Sequence, residues 1–163
     1  MDSELAAQLG AILNARNWML ATAESCTGGG VAATVTAVAG SSGWFERGFV
    51  TYSNESKVEL LGVSPGTLAH HGAVSEATAL EMAAGALTHS HADIAAAITG
   101  IAGPDGGSPG KPVGTVCLAW QQRHGDVLVE TRHFSGDRET VRRQAVAAAL
   151  EGLIALATNA ANA

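Results

Sequence analysis

Three side chains that can act as nucleophiles adjoin one another in the stretch TAESCTGGG, where Ser25, Cys26 and Thr27 precede three glycines. A nucleophile on a turn between a strand and a helix is held at the edge of the sheet, and the helix amides behind it favour developing negative charge. Glycine-rich turns are also ordinary packing devices. The GxSxG nucleophile motif is absent, because Ala23 and Thr27 occupy its glycine positions. The residues alone leave both interpretations open.

A serine nucleophile needs a base, and Lys57 is the most unusual candidate, being one of only two lysines. It follows the predicted strand that carries Tyr52, so its side chain is able to project over the same sheet edge as Ser25. A lysine acts as a base only if burial lowers its pKa. The spacing by itself favours a surface lysine paired with Glu55 or Glu59. Solvated side chains are expected for the histidines, which lie in predicted turns, at a helix end or in a hairpin: His70, His71, His89, His91, His124 and His133.

Two arginines at the start of the last predicted helix are candidates for binding an anion. Arg138 and Arg142 lie one turn apart and are able to grip a phosphate together, or else to form salt bridges with Glu139 or simply aid solubility. The loop GPDGGSPGKP, residues 103–112, is not a phosphate-binding P-loop, because Asp105 replaces the first glycine of that motif. We expect a flexible lid or a loop at the edge of the substrate. The histidine pairs lack acidic or cysteine partners, so no metal site is expected.

Alternating predicted strands and helices must position these residues. Helical periodicity over residues 3–15 and a short apolar run at 18–23 place the nucleophile turn between a strand and a helix. The run at 92–104 predicts a central strand buried on both faces, and residues 63–75 are rich in turn formers. The remaining predictions are helices at 30–40, 56–62, 75–92 (ending near His91) and 138–157 (capped by Asp137), a strand around 49–52, and a hairpin of strands 113–122 and 126–135. The order predicts one α/β domain, residues 1–163, with a mixed sheet.

The composition excludes several classes of protein. The chain has 163 residues, 47% of them hydrophobic, which suits one domain with a full core. Its formal net charge of −6, from 9 basic and 15 acidic residues, disfavours nucleic acid and anionic membranes as partners. The two cysteines have no disulfide or zinc-ribbon spacing, which suits a reducing cytoplasm. No run reaches the ~18 apolar residues of a membrane span, so we expect a soluble, cytoplasmic protein.

Several long segments together resemble the CinA-like carboxy-terminal domain family, which includes stand-alone nicotinamide mononucleotide deamidases. They are TAESCTGGGVA, GSSGWFERGFVTYSNESK, HGAVSE, TGIAGPDGGSPGKPVGTV and GDRETVRRQA. The resemblance covers nearly the whole chain and implies a three-layer α/β/α fold. It also implies hydrolysis of nicotinamide mononucleotide to nicotinic acid mononucleotide and ammonia, in pyridine nucleotide recycling, without a metal or organic cofactor.

The resemblance assigns roles to individual residues. Ser25 matches the family's nucleophile and Lys57 its base, with Tyr52 as a hydrogen-bonding partner close to both. Thr99 and Gly100 match an active-site loop, where an amide and one from the turn after the nucleophile would form an oxyanion hole; that turn comprises Cys26, Thr27 and Gly28. Either Arg138 or Arg142 would bind the substrate's phosphate. We favour Arg142, because it lies deeper in the helix and packing can fix it.

Three alternatives stay open alongside this interpretation. One is a thiol amidohydrolase using Cys26, which we expect to point away from Ser25 on an extended segment. Another is a non-enzymatic nucleotide-binding or regulatory module, in keeping with the family's link to competence and DNA damage. The third is a hydrolase acting on a different amide. The expected assembly, if the chain forms a homo-oligomer, is a dimer.

Overall fold

Short apolar runs rich in alanine form the centre of the sheet in the computed structural model, which describes residues 2–161. β1 (Leu20–Glu24) is buried along its whole length, and β3 (Ile94–Gly100) is buried except at its last residue. The other strands are β2 (Phe45–Val50), β4 (Thr115–Gln122) and β5 (Val127–His133). The helices are α1 (Ser3–Arg16), α2 (Gly30–Thr36), α3 (Asn54–Leu61), α4 (Pro65–His71), α5 (Glu76–Thr88) and α6 (Arg138–Ala161), with one 3₁₀ turn at Ser41–Gly43.

The strand order is β2-β1-β3-β4-β5. β1 is parallel to both β2 and β3, whereas β4 is antiparallel to β3 and β5 is antiparallel to β4. The sheet is therefore mixed, as predicted. The carboxyl ends of the three parallel strands meet at one edge, and β1 lies where the chain turns first towards β2 and later towards β3. Open α/β sheets bind ligands at such a switch point.

Helices cover both faces of the sheet and complete the predicted three-layer α/β/α fold. On one face, α1, α2 and α6 enclose a core that includes Leu13, Trp120 and Leu153. On the other, α3, α4 and α5 cover a core of smaller residues around Leu61 and Met82. The alanines of β3 leave little side-chain volume on this second face, so the helices lie close to the strand backbone.

Several elements differ in extent from the sequence predictions. The segment predicted as turn-rich contains α4, whose seven residues are too few for a periodic signal; Ser64 caps it by accepting from the Gly66 amide, and Pro65 starts it. α5 ends at Thr88 rather than near His91, and β2 ends at Val50, whereas the predicted strand was centred on residues 49–52. Just after the end of α5, the Arg123 guanidinium donates hydrogen bonds to Ser90 O and Ala92 O.

α2 is also shorter than predicted, because it ends at Thr36 rather than at residue 40. The predicted cap of the last helix is confirmed, because Asp137 Oδ1 accepts from the Thr140 amide at 2.9 Å. The predicted domain of residues 1–163 includes residues 1, 162 and 163, which lie outside the described residues. Over the described part of the chain, no helix combines the length and the apolar character needed to cross a bilayer.

Candidate active site

Ser25 begins the turn that links β1 to α2 at the carboxyl edge of the sheet. Its amide donates to Ile98 O at 2.9 Å, which extends the pairing of β1 with β3 by one residue. The Gly28 amide then donates to Ser25 O at 3.0 Å and closes the turn. Gly28 and Gly29 adopt φ values of 59° and 104°, a region that residues with a side chain rarely enter. The glycines are therefore required by the backbone of this turn.

Glu24 is a residue of the site that the sequence reasoning missed. Its side chain is 1% exposed and accepts three hydrogen bonds: from Thr27 Oγ1 at 2.6 Å, from the Val31 amide at 2.9 Å and from the Ala32 amide at 3.1 Å. The carboxylate thus caps α2, whose N-cap residue Gly29 has no side chain to do so. An acidic residue placed directly before a glycine-rich helix start was the available signal.

Lys57 reaches Ser25 because β1 and β2 run side by side. The Thr51 amide donates to Glu24 O at 2.8 Å, so the chain leaves β2 next to the nucleophile turn. Ser53 then caps α3, and Lys57 on its first turn points back into the sheet edge. Its Nζ lies 3.1 Å from Ser25 Oγ and 2.8 Å from Thr51 O. With 1% of its surface exposed, Lys57 is no surface lysine, and that alternative is wrong.

Burial shifts the pKa of the Lys57 amine and the pKa of the neighbouring Cys26 thiol in opposite directions. It lowers the pKa of Lys57 from its usual 10.5, because the charged form loses its hydration, and this effect outweighs the attraction of Cys26. Burial also raises the pKa of Cys26 to about 11. The site therefore favours a neutral amine, which can accept a proton, and a protonated thiol, which is a poor nucleophile.

A cavity of about 180 Å³ opens at this sheet edge. Both Ser25 and Cys26 line it, although we expected Cys26 to point away. That expectation was wrong because the residues after Glu24 form a turn rather than an extended segment. The other lining residues are Tyr52, Lys57, Ala73, Val74, Thr99, Gly100, Ala102 and Arg138.

Tyr52 and Arg138 form a pair at the mouth of the cavity. Tyr52 is 64% exposed, and its hydroxyl accepts from Arg138 Nη2 at 3.1 Å. Arg138 Nη1 also donates to Gly103 O at 2.8 Å. Only the carbonyl of Tyr52 approaches Lys57, 3.5 Å from Nζ. Tyr52 therefore lines the same cavity as Ser25 and Lys57. Its hydroxyl, however, bonds to Arg138 rather than to either of them.

Arg142 contacts the backbone of the nucleophile turn but does not line this cavity. Its Nε donates to Cys26 O at 3.1 Å and its Nη2 to Thr27 O at 3.2 Å. The residue lines a separate groove of about 630 Å³ between α2 and α6. The structure therefore places the two predicted phosphate ligands at different cavities, and Arg138 is the one that faces Ser25.

Thr99 and Gly100 end β3 beside the nucleophile. Thr99 Oγ1 donates to Ala73 O at 2.8 Å and so fixes one wall of the cavity. A Cβ on Gly100 would lie 2.7 Å from Val116 Cγ2 and 3.1 Å from Cys26 Sγ, so only glycine fits there. The next amide, that of Ile101, donates to Thr115 O on the β4 side. Since amides alternate along a strand, the Gly100 amide faces the end of β1, where Ser25 lies.

The loop predicted as a lid lies across this edge of the sheet. Besides the bond from Arg138 to Gly103 O, Lys111 Nζ donates to His71 O at 2.6 Å. Residues 103–112 are thus attached to both α6 and the end of α4. Within residues 2–161, no three His, Cys, Asp or Glu side chains form a group able to hold a metal ion.

Comparisons with known proteins agree on one family. The CinA C-terminal domain matches residues 2–157. A protein of Escherichia coli strain K12 named nicotinamide-nucleotide amidohydrolase PncC is 57% identical over 155 residues, covering 93% of this chain and 94% of the relative. The crystal structure of the competence/damage inducible protein CihA from Agrobacterium tumefaciens is 50% identical, covers 94% of each chain and has a TM-score of 0.92.

A competence-damaged protein (CinA) superfamily member from Klebsiella pneumoniae is similar in the same way. It is 45% identical, covers 98% of this chain and 99% of its own, and has a TM-score of 0.93. Sequence and structural similarity therefore extend over nearly the whole α/β/α fold. The chain belongs to the CinA C-terminal domain family.

Proposed function

We propose that this protein is an amidohydrolase that converts nicotinamide mononucleotide and water to nicotinic acid mononucleotide and ammonia, with Ser25 as nucleophile and Lys57 as base. The observation that carries the proposal is the 3.1 Å contact between Lys57 Nζ and Ser25 Oγ inside a cavity at the switch point of the sheet. The substrate is proposed from the name of the E. coli relative, which shares 57% of its residues.

The first half of the reaction is acyl transfer to the serine. Lys57 in its neutral form, which burial favours, takes the proton of Ser25 Oγ as the oxygen attacks the carboxamide carbon. The carbonyl electron pair moves to the oxygen, which receives hydrogen bonds from the Gly100 amide and from one amide of the turn that follows Ser25. The Lys57 ammonium then protonates the amide nitrogen. The C–N bond breaks, ammonia leaves and an ester of Ser25 remains.

Water completes the reaction in the second half. A water molecule in the place of ammonia gives a proton to Lys57 and attacks the ester carbon. The second tetrahedral intermediate collapses with return of the proton to Ser25 Oγ, and the carboxylic acid product is released. One lysine thus serves as base and then as acid in each half, which requires a pKa nearer neutrality than that of a free lysine. No step calls for a metal or an organic cofactor.

The size of the cavity suggests how the nucleotide lies. Sites for drug-sized ligands measure roughly 300–1,000 Å³, whereas this cavity measures about 180 Å³. It therefore suits the pyridine carboxamide ring, with Ala73, Val74 and Ala102 as apolar walls, and leaves the ribose phosphate outside its mouth. Arg138 lies at that mouth and is the first residue of α6. We propose Arg138 rather than Arg142 as the phosphate ligand, aided by the positive end of the helix.

The test is an ammonia-release assay with nicotinamide mononucleotide, nicotinamide riboside and nicotinamide as separate substrates. We expect release from the nucleotide, a much lower kcat/KM with the riboside, and none from the nucleotide with Ser25→Ala. Absence of release from all three substrates would refute the proposed reaction. Binding of the nucleotide without release would instead support the non-enzymatic module.

A further inference from the structure

The backbone that follows Ser25 is bonded by one guanidinium that does not line the cavity. Arg142 Nε bonds to Cys26 O and its Nη2 to Thr27 O, at 3.1 and 3.2 Å. Two consecutive carbonyls of the turn therefore point at the same side chain. A planar guanidinium presents its donors in a rigid fork, so it fixes the direction of both carbonyls at once.

Fixing these carbonyls also fixes the amides that share their peptide planes. In a trans peptide, the C=O of one residue and the N–H of the next point in opposite directions. The Gly28 amide obeys this relation: Thr27 O faces Arg142, and the Gly28 N–H turns away and donates to Ser25 O at 3.0 Å. By the same relation, the contact with Cys26 O turns the Thr27 N–H away from Arg142.

The Thr27 amide itself has an unused donor. It makes no hydrogen bond to another residue in the described part of the chain. The Thr27 side chain, by contrast, is anchored, because its Oγ1 donates to Glu24 at 2.6 Å. Residue 27 is thus held by its hydroxyl and by its carbonyl, and its N–H is left unbonded beside the nucleophile.

We propose that Arg142 is a positioning residue that aims the Thr27 amide into the oxyanion hole, and that it does not bind the substrate's phosphate. This inference rests on the proposed amidohydrolase function. It gives α6 two roles at the site, with Arg138 at the cavity mouth and Arg142, one turn later, behind the nucleophile turn. The pair of carbonyl contacts explains why an arginine is needed at this position, since a lysine presents its donors as a single point.

The kinetic signature of positioning differs from that of phosphate binding. An oxyanion donor acts on the transition state more than on the bound substrate, so its loss lowers kcat and leaves KM nearly unchanged. Removing such a donor costs about 10²–10³ in kcat. In Arg142→Ala the amide remains but is no longer held, so we expect kcat to fall about 10- to 100-fold. The fall should be equal for nicotinamide mononucleotide and nicotinamide riboside, because the riboside has the same carboxamide and lacks only the phosphate.

The experiment compares Arg142→Ala, Arg142→Lys and the control Arg143→Ala with the wild type. Arg143 is the exposed neighbour that lines the same groove, so its removal should change neither kcat nor KM. Arg142→Lys should recover part of the lost kcat. Affinity is also measured for the aldehyde analogue of the nucleotide, in which Ser25 Oγ adds to the aldehyde carbon and the carbonyl oxygen becomes an oxyanion. That affinity should fall by the same factor as kcat/KM in each variant.

Any other result would contradict either the inference about Arg142 or the proposed reaction. A rise in KM for the nucleotide alone would make Arg142 a phosphate ligand and overturn the inference. A lower melting temperature with unchanged kcat and unchanged aldehyde affinity in the folded protein would leave it only a structural role, and would overturn the inference too. A wild type that releases no ammonia refutes the proposed reaction instead. The aldehyde analogue then still tests Arg142, since its addition to Ser25 needs the amide but no deamidation.

Discussion

Replacement of Lys57 by methionine separates the chemistry of the site from its stability. Methionine has a similar length and fills the 1% exposed space, but it cannot accept a proton from Ser25 Oγ. General base catalysis contributes about 10²–10⁴ to the rate of an enzyme. We therefore expect kcat/KM for nicotinamide mononucleotide to fall by at least about 100-fold in Lys57→Met.

The effect of the same substitution on stability is the sum of two opposing changes. Thr51 O loses a donor at 2.8 Å, and a buried carbonyl without a partner costs about 1–3 kcal/mol. Against this, a polar amine no longer has to be buried, which offsets a cost of similar size. We expect the free energy of unfolding to change by less than about 2 kcal/mol, as measured by urea denaturation.

The pH dependence of activity provides the decisive measurement. The neutral amine is the active form, so kcat/KM should rise with pH as Lys57 loses its proton. Because burial lowers the pKa of Lys57 from 10.5, the midpoint of that rise should lie below this value. In Lys57→Met the rise should disappear, and the remaining activity should not depend on pH in this range.

The other lysine of the chain provides a matched control. Lys111 also donates to a carbonyl, that of His71, but it does not line the cavity. Lys111→Met should retain the wild-type pH profile. Our reasoning would be refuted if Lys57→Met kept most of its activity or kept the rise with pH, since either result would show that another group removes the proton of Ser25.

Four further predictions concern the remaining groups. Ser25→Ala should abolish ammonia release, whereas Cys26→Ala should keep most of it; the reverse result would make the thiol the nucleophile. The raised pKa of Cys26, about 11, predicts that iodoacetamide labels it far more slowly at pH 8 than it labels a free cysteine, and fast labelling in mass spectra would contradict its burial. Arg138→Ala should lower kcat/KM for the nucleotide at least about tenfold, as a lost charged hydrogen bond of about 1.5–3 kcal/mol implies, with little effect on the riboside. Chelators should leave activity unchanged, and inactivation reversed by added zinc would reveal a metal site.

Much of the fold could be predicted from the sequence because its signals are local. The alanine-rich run of β3 predicts a strand buried on both faces, and the structure confirms this. The acidic cap at Asp137 likewise marks the start of α6. α4 could not be predicted with the same reasoning, because a seven-residue helix contains too few turns for an apolar face to repeat.

Only part of the candidate site could be predicted from local sequence patterns. Side-chain types and the resemblance to a family selected Ser25 and Lys57, but spacing alone favoured a surface lysine. Glu24 was not predicted because its partners are the Thr27 hydroxyl and two amides of the following helix, and sequence spacing does not reveal such contacts. Cys26 was expected to point away because an extended backbone was assumed where the chain in fact turns.

The sequence by itself determined which elements form and which side chains with useful chemistry lie at their ends, since periodicity, capping and turn formation depend on neighbouring residues. The tertiary structure alone decided which of those side chains meet. Parallel pairing of β1 with β2 brings Lys57 to Ser25 across 32 positions of sequence. Arg138 and Arg142 lie one helical turn apart, yet the packing of α6 beside the nucleophile turn directs them to different cavities. Such contacts depend on strand register and on how elements pack, which no local pattern encodes.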